Sequence, residues 1–394
     1  MKVIYSDQKP SKAWSKSLFL AGPTPRSKEV PSWRPEALKI LENLGYNGVV
    51  FVPEPSDGKW KRDYDAQVEW EDFALNAADC ILFWIPRSED LPALTTNIEW
   101  GVWCDSGKAV VGFPKKTPST DYIQYYADKL KTPAKHSLQK TLEAAVELIG
   151  EGDYRRNGER EVPLYIWRTK HFQKWYQAQI NAGHILNSAK VVWTFRVGPK
   201  RNIMFFWALH VKMEIYGEDR IKENEVVLSR PDLSTIVAFK PVSEVQRMLN
   251  TGNHPELDTK ILIVREYRSP ASTEDGFIRE LPGGSSWNTA DLPTAIAAEE
   301  LKEETGLAIT PDRFQTLASR QVCGTLSAHQ ADTYVCHLTE EEFEFLEGQA
   351  GTPHGVLEDT ERTYVEVYTL RELLETNTVD WANMGMILQA IYLS

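Results

Sequence analysis

Cysteine is scarce in this chain, and the four present, Cys80, Cys104, Cys323 and Cys336, show no C-x-x-C spacing. Eight scattered histidines complete no zinc pattern, so neither a disulfide framework nor structural zinc is expected. No run approaches ~18 consecutive apolar residues, which removes a membrane-spanning helix from the expectation. The opening MKVIYSDQKPSKAWSKSLFLAGP lacks an apolar h-region followed by a small-residue cleavage site, and a cytoplasmic protein is expected. Positive charge is in deficit: 44 Lys and Arg against 56 Asp and Glu leave a net charge of −12. That balance disfavours a nucleic-acid-coating role, although a local basic patch stays open. Internal repeats and low-complexity tracts are also missing.

What remains is an ordinary globular composition, 42% hydrophobic and 25% charged, over 394 residues, enough for two or three domains with separate cores. The first half alternates apolar runs with helical patterns. Strands are expected at 17–23, 49–53, 80–85 and 109–113, and helices at 35–44, 66–78, 97–106 and 134–150. Such alternation implies an α/β fold, a doubly wound parallel sheet with ligand sites at the carboxyl ends of the strands. Gly22, the Pro86-Arg87 loop and the start of the 97–106 helix should meet at one edge.

Three short motifs carry a resemblance: Leu20-Ala21-Gly22-Pro23 after the first strand, Asp72 seven residues ahead of Asp79, and Thr95-Thr96-Asn97-Ile98-Glu99-Trp100-Gly101. In this order and spacing they resemble the nucleoside 2-deoxyribosyltransferases and their nucleotide N-glycosidase relatives, over about residues 16–150. The resemblance implies a Rossmann-like or flavodoxin-like domain at 1–155, with Glu99 as the glycosyl-accepting nucleophile and Gly22, Pro23 and Asn97 near the substrate. Phe19 and Ala93 stand where family members often have Tyr and Asp.

The chemistry is consistent with the residues themselves. Cleaving an N-glycosidic bond through an oxocarbenium-like state needs a carboxylate under the sugar carbon and an acid near the departing base. Glu99 suits the first role; otherwise it belongs to a capped helix start. Asp72 suits the second if partly buried, or is a surface acid. Arg26 and Arg87 follow strand ends and hold a phosphate or stay solvated.

The polar run EGDYRRNGERE marks a domain boundary, and a helical linker or extension is expected over 156–200. Within it, Trp167, Arg168, Lys170, His171, Lys174, Trp175 and Tyr176 interleave rings and cations. Single-stranded nucleic acid would fit that pattern, but an amphipathic helix packed on its neighbours is the commoner cause.

From Phe205 onward the period turns to strands: FFWALHVKMEIY, EVVLS, STIVAF and KILIVREYR. A helix follows, with Asp291 as its cap, Pro293 in its first turn and Gly306 as its stop. At ~100° per residue, Glu300, Glu303 and Glu304 share a sector that holds no Lys or Arg. Carboxylates so spaced repel each other, and a hard divalent cation such as Mg²⁺ or Mn²⁺ would reverse the sign. Glu300-Leu301-Lys302-Glu303-Glu304-Thr305-Gly306-Leu307, preceded by Glu280-Leu281-Pro282-Gly283-Gly284, resembles the Nudix box; Glu299 replaces the box arginine. The resemblance implies an α+β Nudix fold with a mixed sheet over 201–394. It also implies metal binding by Glu300, Glu303 and Glu304, substrate contacts at Gly284 and Arg268, and a water-activating glutamate at Glu361 or Glu358. Arg268 would pair with a phosphate or with the helix acids, or else is an exposed strand-end arginine.

The combined expectation is a bifunctional enzyme acting on small nucleosides or nucleotides. One domain would cleave or transfer at an N-glycosidic bond, and the other would hydrolyse an ADP-ribose-like diphosphate with Mg²⁺. Both resembled families commonly form homo-oligomers, so self-assembly is implied. The alternative is a nucleotide sensor, in which the second domain binds ligand and regulates the first.

Overall fold

The computed structural model describes residues 1–25, 30–60, 64–249, 254–285, 292–355 and 361–393. Arg26, the helix cap Asp291 and the loop acid Glu358 named above lie outside these residues. The chain divides into two compact units, Met1–Leu228 and Ser229–Ser394.

The first unit is built on a six-stranded parallel sheet. In spatial order its strands are Lys2–Tyr5, Val49–Val52, Ser17–Ala21, Cys80–Trp84, Ala109–Gly112 and Ala134–Lys135. The central strands SLFLA, VVFV and CILFW are buried at every position, as a sheet covered on both faces requires. Successive side chains feed opposite cores. Leu18 and Leu20 join Val50 and Leu82 on one face, while Phe19 and Ala21 join Phe51, Ile81 and Phe83 on the other. The expected helices form, with two differences. The Leu94–Trp103 helix starts earlier than the sequence suggests because Ala93 turns the chain with φ 57°. The strand Lys2–Tyr5 and the helix Asp121–Leu130 were not anticipated.

The sequence boundary at 201 differs from the structural division. The hairpin Ile185–Val197/Ile203–Ile215 and its third strand Arg220–Ser229 form an antiparallel sheet. Its residues Trp207, Leu209, Val211 and Met213 share a core with Leu18 and Leu20. A buried ion pair also fastens the stretch after 150 to the sheet. Arg155 Nη2 lies 2.6 Å from Asp79 Oδ2, which also accepts from the Ser17 N–H at 2.9 Å. Trp167, Phe172 and Tyr176 are buried and pack their rings against one another. Those rings serve the core rather than a stack of bases.

The second unit holds a mixed sheet. Its main path runs Gln315–Thr316, Gln330–His337, Leu233–Lys240, Lys260–Tyr267, Thr363–Thr369 and Pro353–His354. Leu233–Lys240 and Gln330–His337 are parallel, whereas Lys260–Tyr267 and Thr363–Thr369 are antiparallel. The helix Pro293–Thr305 lays Ala297 and Leu301 on one face against Ile236, Leu262 and Tyr334. The other face carries Met384, Ile387 and Ala390 of the helix Trp381–Leu393. Gly306 ends the first of these helices with φ 74°, its N–H donating to Lys302 O at 2.9 Å. Among the described residues, no helix is long and apolar enough to cross a membrane.

Candidate functional site

At the carboxyl end of the parallel sheet lies a cleft of about 690 Å³, lined by residues that include Gly22, Pro23, Arg34, Trp60, Tyr64, Gln67, Glu71, Thr96 and Glu99. Three local features make it. The strand Ser17–Ala21 ends in Gly22, where a Cβ would sit 2.3 Å from Trp84 O and 2.8 Å from Trp33 Cζ2. Only glycine lets the turn pass so close. The left-handed Ala93 starts the Leu94–Trp103 helix at the cleft wall and carries Glu99 into it. The helix Tyr64–Ala77 presents Tyr64, Gln67, Val68 and Glu71, spaced i, i+3, i+4, i+7 on one face.

Two glutamates therefore meet in the cleft. Burial pushes Glu99 up to about 7, the Glu71 charge adds to the shift, and Arg34 opposes it. Glu71 is likewise raised by burial, opposed by a 2.6 Å hydrogen bond from Gln67 Nε2 and by Arg34. Burial therefore lets Glu99 hold its proton up to about 7 beside the Glu71 charge.

Asp72, expected as the second acid, is not the acid that reaches the cleft. Asp72 is exposed and accepts hydrogen bonds from Asn76 Nδ2; it does not line the cleft, and Glu71 does. A 100° step around the helix separates them. Arg87 and Asn97 do meet, with Arg87 Nη2 donating to Asn97 Oδ1 at 2.6 Å and Nη1 to Ser119 O at 2.8 Å. They brace the helix start outside the cleft lining. Arg34 and Glu71 went unnoticed in the sequence. The Tyr64-to-Glu71 spacing was a usable signal for the second, and an arginine immediately before Pro35 offered none for the first.

In the second unit the acids also converge, but not as the helix wheel alone implies. Glu304 is buried, and its Oε2 accepts from the Gly283 N–H at 3.0 Å. Carboxylate oxygens of Glu304, Glu266 and Glu361 all lie within 4.8 Å of one another. Glu300 points at Gly284, where a Cβ would be 1.9 Å from its Oε1. Glu303 is exposed on the helix. Burial, then the charges of Glu303, Glu361 and Glu299, push Glu300 up to about 7. Glu266 also rises to about 7, chiefly from burial. Glu304 is raised well above its ordinary value by burial and by Glu300 and Glu280.

Arg268 pairs with neither helix acid. Its Nη2 lies 2.8 Å from Glu266 Oε2, an ion-pair distance without hydrogen-bond alignment. The same nitrogen is 2.9 Å from Glu280 Oε1. Glu266 and Glu280 escaped the sequence reading because both lie on strands, Lys260–Tyr267 and Phe277–Glu280, that meet the helix only in the fold. An all-oxygen, acid-rich donor set suits a hard divalent cation.

Residues 15–117 match the family model described as nucleoside 2-deoxyribosyltransferase like. The first unit therefore contains a nucleoside 2-deoxyribosyltransferase-like domain, which fits nucleotide metabolism. Its matched span includes Gly22, Arg34, Glu71 and Glu99. No curated protein matches the chain.

Proposed function

We propose that the chain is a nucleotide-processing enzyme with two separate activities: N-glycosidic cleavage or transfer in the first unit, and Mg²⁺-dependent hydrolysis of a nucleoside diphosphate derivative in the second. The observation that carries the first half is that Glu99 and Glu71 line one cleft within the span that matches the deoxyribosyltransferase-like model. An ionised Glu99 attacks the sugar carbon and forms a glycosyl ester as the bond to the base breaks. Burial keeps the proton on Glu99 up to about 7, and the Gln67 hydrogen bond favours ionised Glu71. The reactive form is therefore the one in which that proton has passed to Glu71, which gives it to the departing base. The resulting carboxylate then takes one from the acceptor, water or a second base, as that acceptor displaces Glu99. Gly22 lets the turn pack against Trp84 and Trp33 at the border of the cleft.

The second half rests on the resemblance of residues 280–307 to the Nudix box and on the acids gathered around Glu304. Glu266, Glu300 and Glu304 would hold the cation, with Glu361 beside them, and the cation would supply charge neutralisation at a diphosphate. The oxygens of Glu266, Glu304 and Glu361, within 4.8 Å of one another, fit that group. Glu304 is fixed by the Gly283 N–H, and Arg268 offsets the charge of Glu266 and Glu280. Glu361, the acid nearest the proposed loop position, is the base toward water in this reading.

Product chromatography tests both halves. The purified chain is incubated with deoxynucleosides, nucleoside monophosphates, NAD and ADP-ribose, with and without Mg²⁺. Free base should form without Mg²⁺ and disappear in Glu99→Gln, while nucleoside monophosphate should form only with Mg²⁺ and disappear in Glu304→Gln. Intact substrates throughout would overturn the reading, and tight binding of an uncleaved nucleotide would favour a sensor.

A further inference from the structure

The guanidinium of Arg34 is 1% exposed, at the first residue of the helix Arg34–Asn43. A cation at a helix N-terminus opposes the macrodipole, and its burial costs solvation, so the helix gains nothing from it. Its hydrogen bonds point elsewhere. Nε donates to Leu20 O at 3.1 Å, Nη2 to Gly22 O at 2.8 Å, and Nη1 to Thr24 Oγ1 at 3.2 Å and to Glu54 Oε1 at 2.5 Å. Three of those acceptors belong to the strand end and turn that border the cleft, and Arg34 itself lines it with Glu71 and Glu99.

We propose that Arg34 is a positioning residue of the cleft: it clamps the Gly22 turn and supplies the buried positive charge against which the Glu99–Glu71 pair is held. This rests on the glycosidic reading of Glu99 for its catalytic meaning, but not for its electrostatics. Burial raises both glutamates, the Glu71 charge adds to the rise of Glu99, and Arg34 is the cation that opposes the rise in each. Glu54, the ion-pair partner of Arg34, draws off part of its charge. The other titratable groups lining the cleft among the described residues are Asp7 and Tyr64.

The device makes two variants move one observable in opposite directions. Removing the cation in Arg34→Gln should raise the Glu99 titration from about 7 by about one unit, since a neighbouring opposite charge is worth about that or more. Glu54→Gln keeps an acceptor for Nη1 but returns the full Arg34 charge to the cleft, and should lower the same titration. Arg34→Lys should lie between wild type and Arg34→Gln, keeping the charge without the fork.

The readout is NMR titration of side-chain carboxyl carbons in protein labelled at glutamate, with Glu99 assigned by loss of its signal in Glu99→Gln. No substrate is needed, so the result stands apart from whether base release occurs. Opposite shifts in Arg34→Gln and Glu54→Gln support the proposal, and a purely structural clamp would not produce them. Unchanged titration, or shifts of the same sign, would overturn it. If Arg34→Gln does not fold, the downward shift in Glu54→Gln and an upward shift of less than about one unit in Arg34→Lys carry the test, and their absence refutes it.

Discussion

Glu300→Gln should make the metal-free protein more stable at pH 8 while weakening its response to Mg²⁺. Burial and neighbouring acids push Glu300 up to about 7 in the folded chain, against about 4.5 for an ordinary glutamate. A raised carboxyl keeps its proton longer when folded, so its contribution to stability falls as pH climbs from about 4.5 through about 7. A rise of that size corresponds to about 3 kcal/mol. Partial exposure of Glu300 screens that, leaving on the order of 1 kcal/mol. Glutamine never ionises, so the variant should gain roughly that amount at pH 8 and nothing at pH 4.5.

Mg²⁺ at a hundred times its dissociation constant would stabilise a binding-competent wild type by about 2.7 kcal/mol, and the variant by much less. Hydrogen exchange in urea, read on peptides from the strand Lys260–Tyr267, follows the second unit by itself. A variant no more stable than wild type at pH 8, or equal stabilisation of both by Mg²⁺, would refute the reasoning.

Other perturbations separate the parts of the account. In the glycosidic reading, kcat/KM for base release should fall about tenfold per pH unit above about 7, where the one proton that Glu99 and Glu71 need between them is lost; a profile flat or rising from about pH 7 to 9 would exclude that role. Glu71→Gln should reduce base release by about 10²-fold or more, whereas Asp72→Asn should leave it within a factor of a few, a contrast that steady-state kinetics would read. Gly22→Ala should cost about 3 kcal/mol by urea denaturation, combining a disallowed backbone with a Cβ 2.3 Å from Trp84 O. Asp79→Ala should cost about 3–5 kcal/mol by stranding the buried Arg155, measurable as a loss of thermal stability.

Much of the first unit is legible because its strands are short, wholly apolar and separated by helical patterns. A parallel sheet covered on both faces demands that spelling. Gly22 stood out because strand ends in such a sheet define where a ligand binds, and Glu99 because its motif resembles a known family. Glu71 was missed through helix phase, since one residue rotates a side chain from the cleft wall to solvent. Arg34 could not be read from local pattern at all. Its acceptors, Leu20 O, Gly22 O and Glu54, lie on other segments and become neighbours only when the sheet forms.

The second unit tells the same story from the other side. The helix acids were visible as a charge-dense sector, but the split between buried Glu304 and exposed Glu303 depends on which strands cover the helix. Glu266 sits in a run, KILIVREY, whose apolar residues announce a strand without saying that its acid faces Glu304. Nor was the boundary after Leu228 visible, because Trp207 and Met213 look the same in sequence whichever core receives them.

The most direct test of the glycosidic claim is to trap the sugar on Glu99. A deoxynucleoside carrying fluorine at the 2-position of its sugar destabilises the oxocarbenium-like state and slows breakdown of the ester, so intact mass and peptide mapping should find one glycosyl adduct, on the peptide containing Glu99. Release of free base with no adduct, or an adduct that persists in Glu99→Gln, would contradict the account.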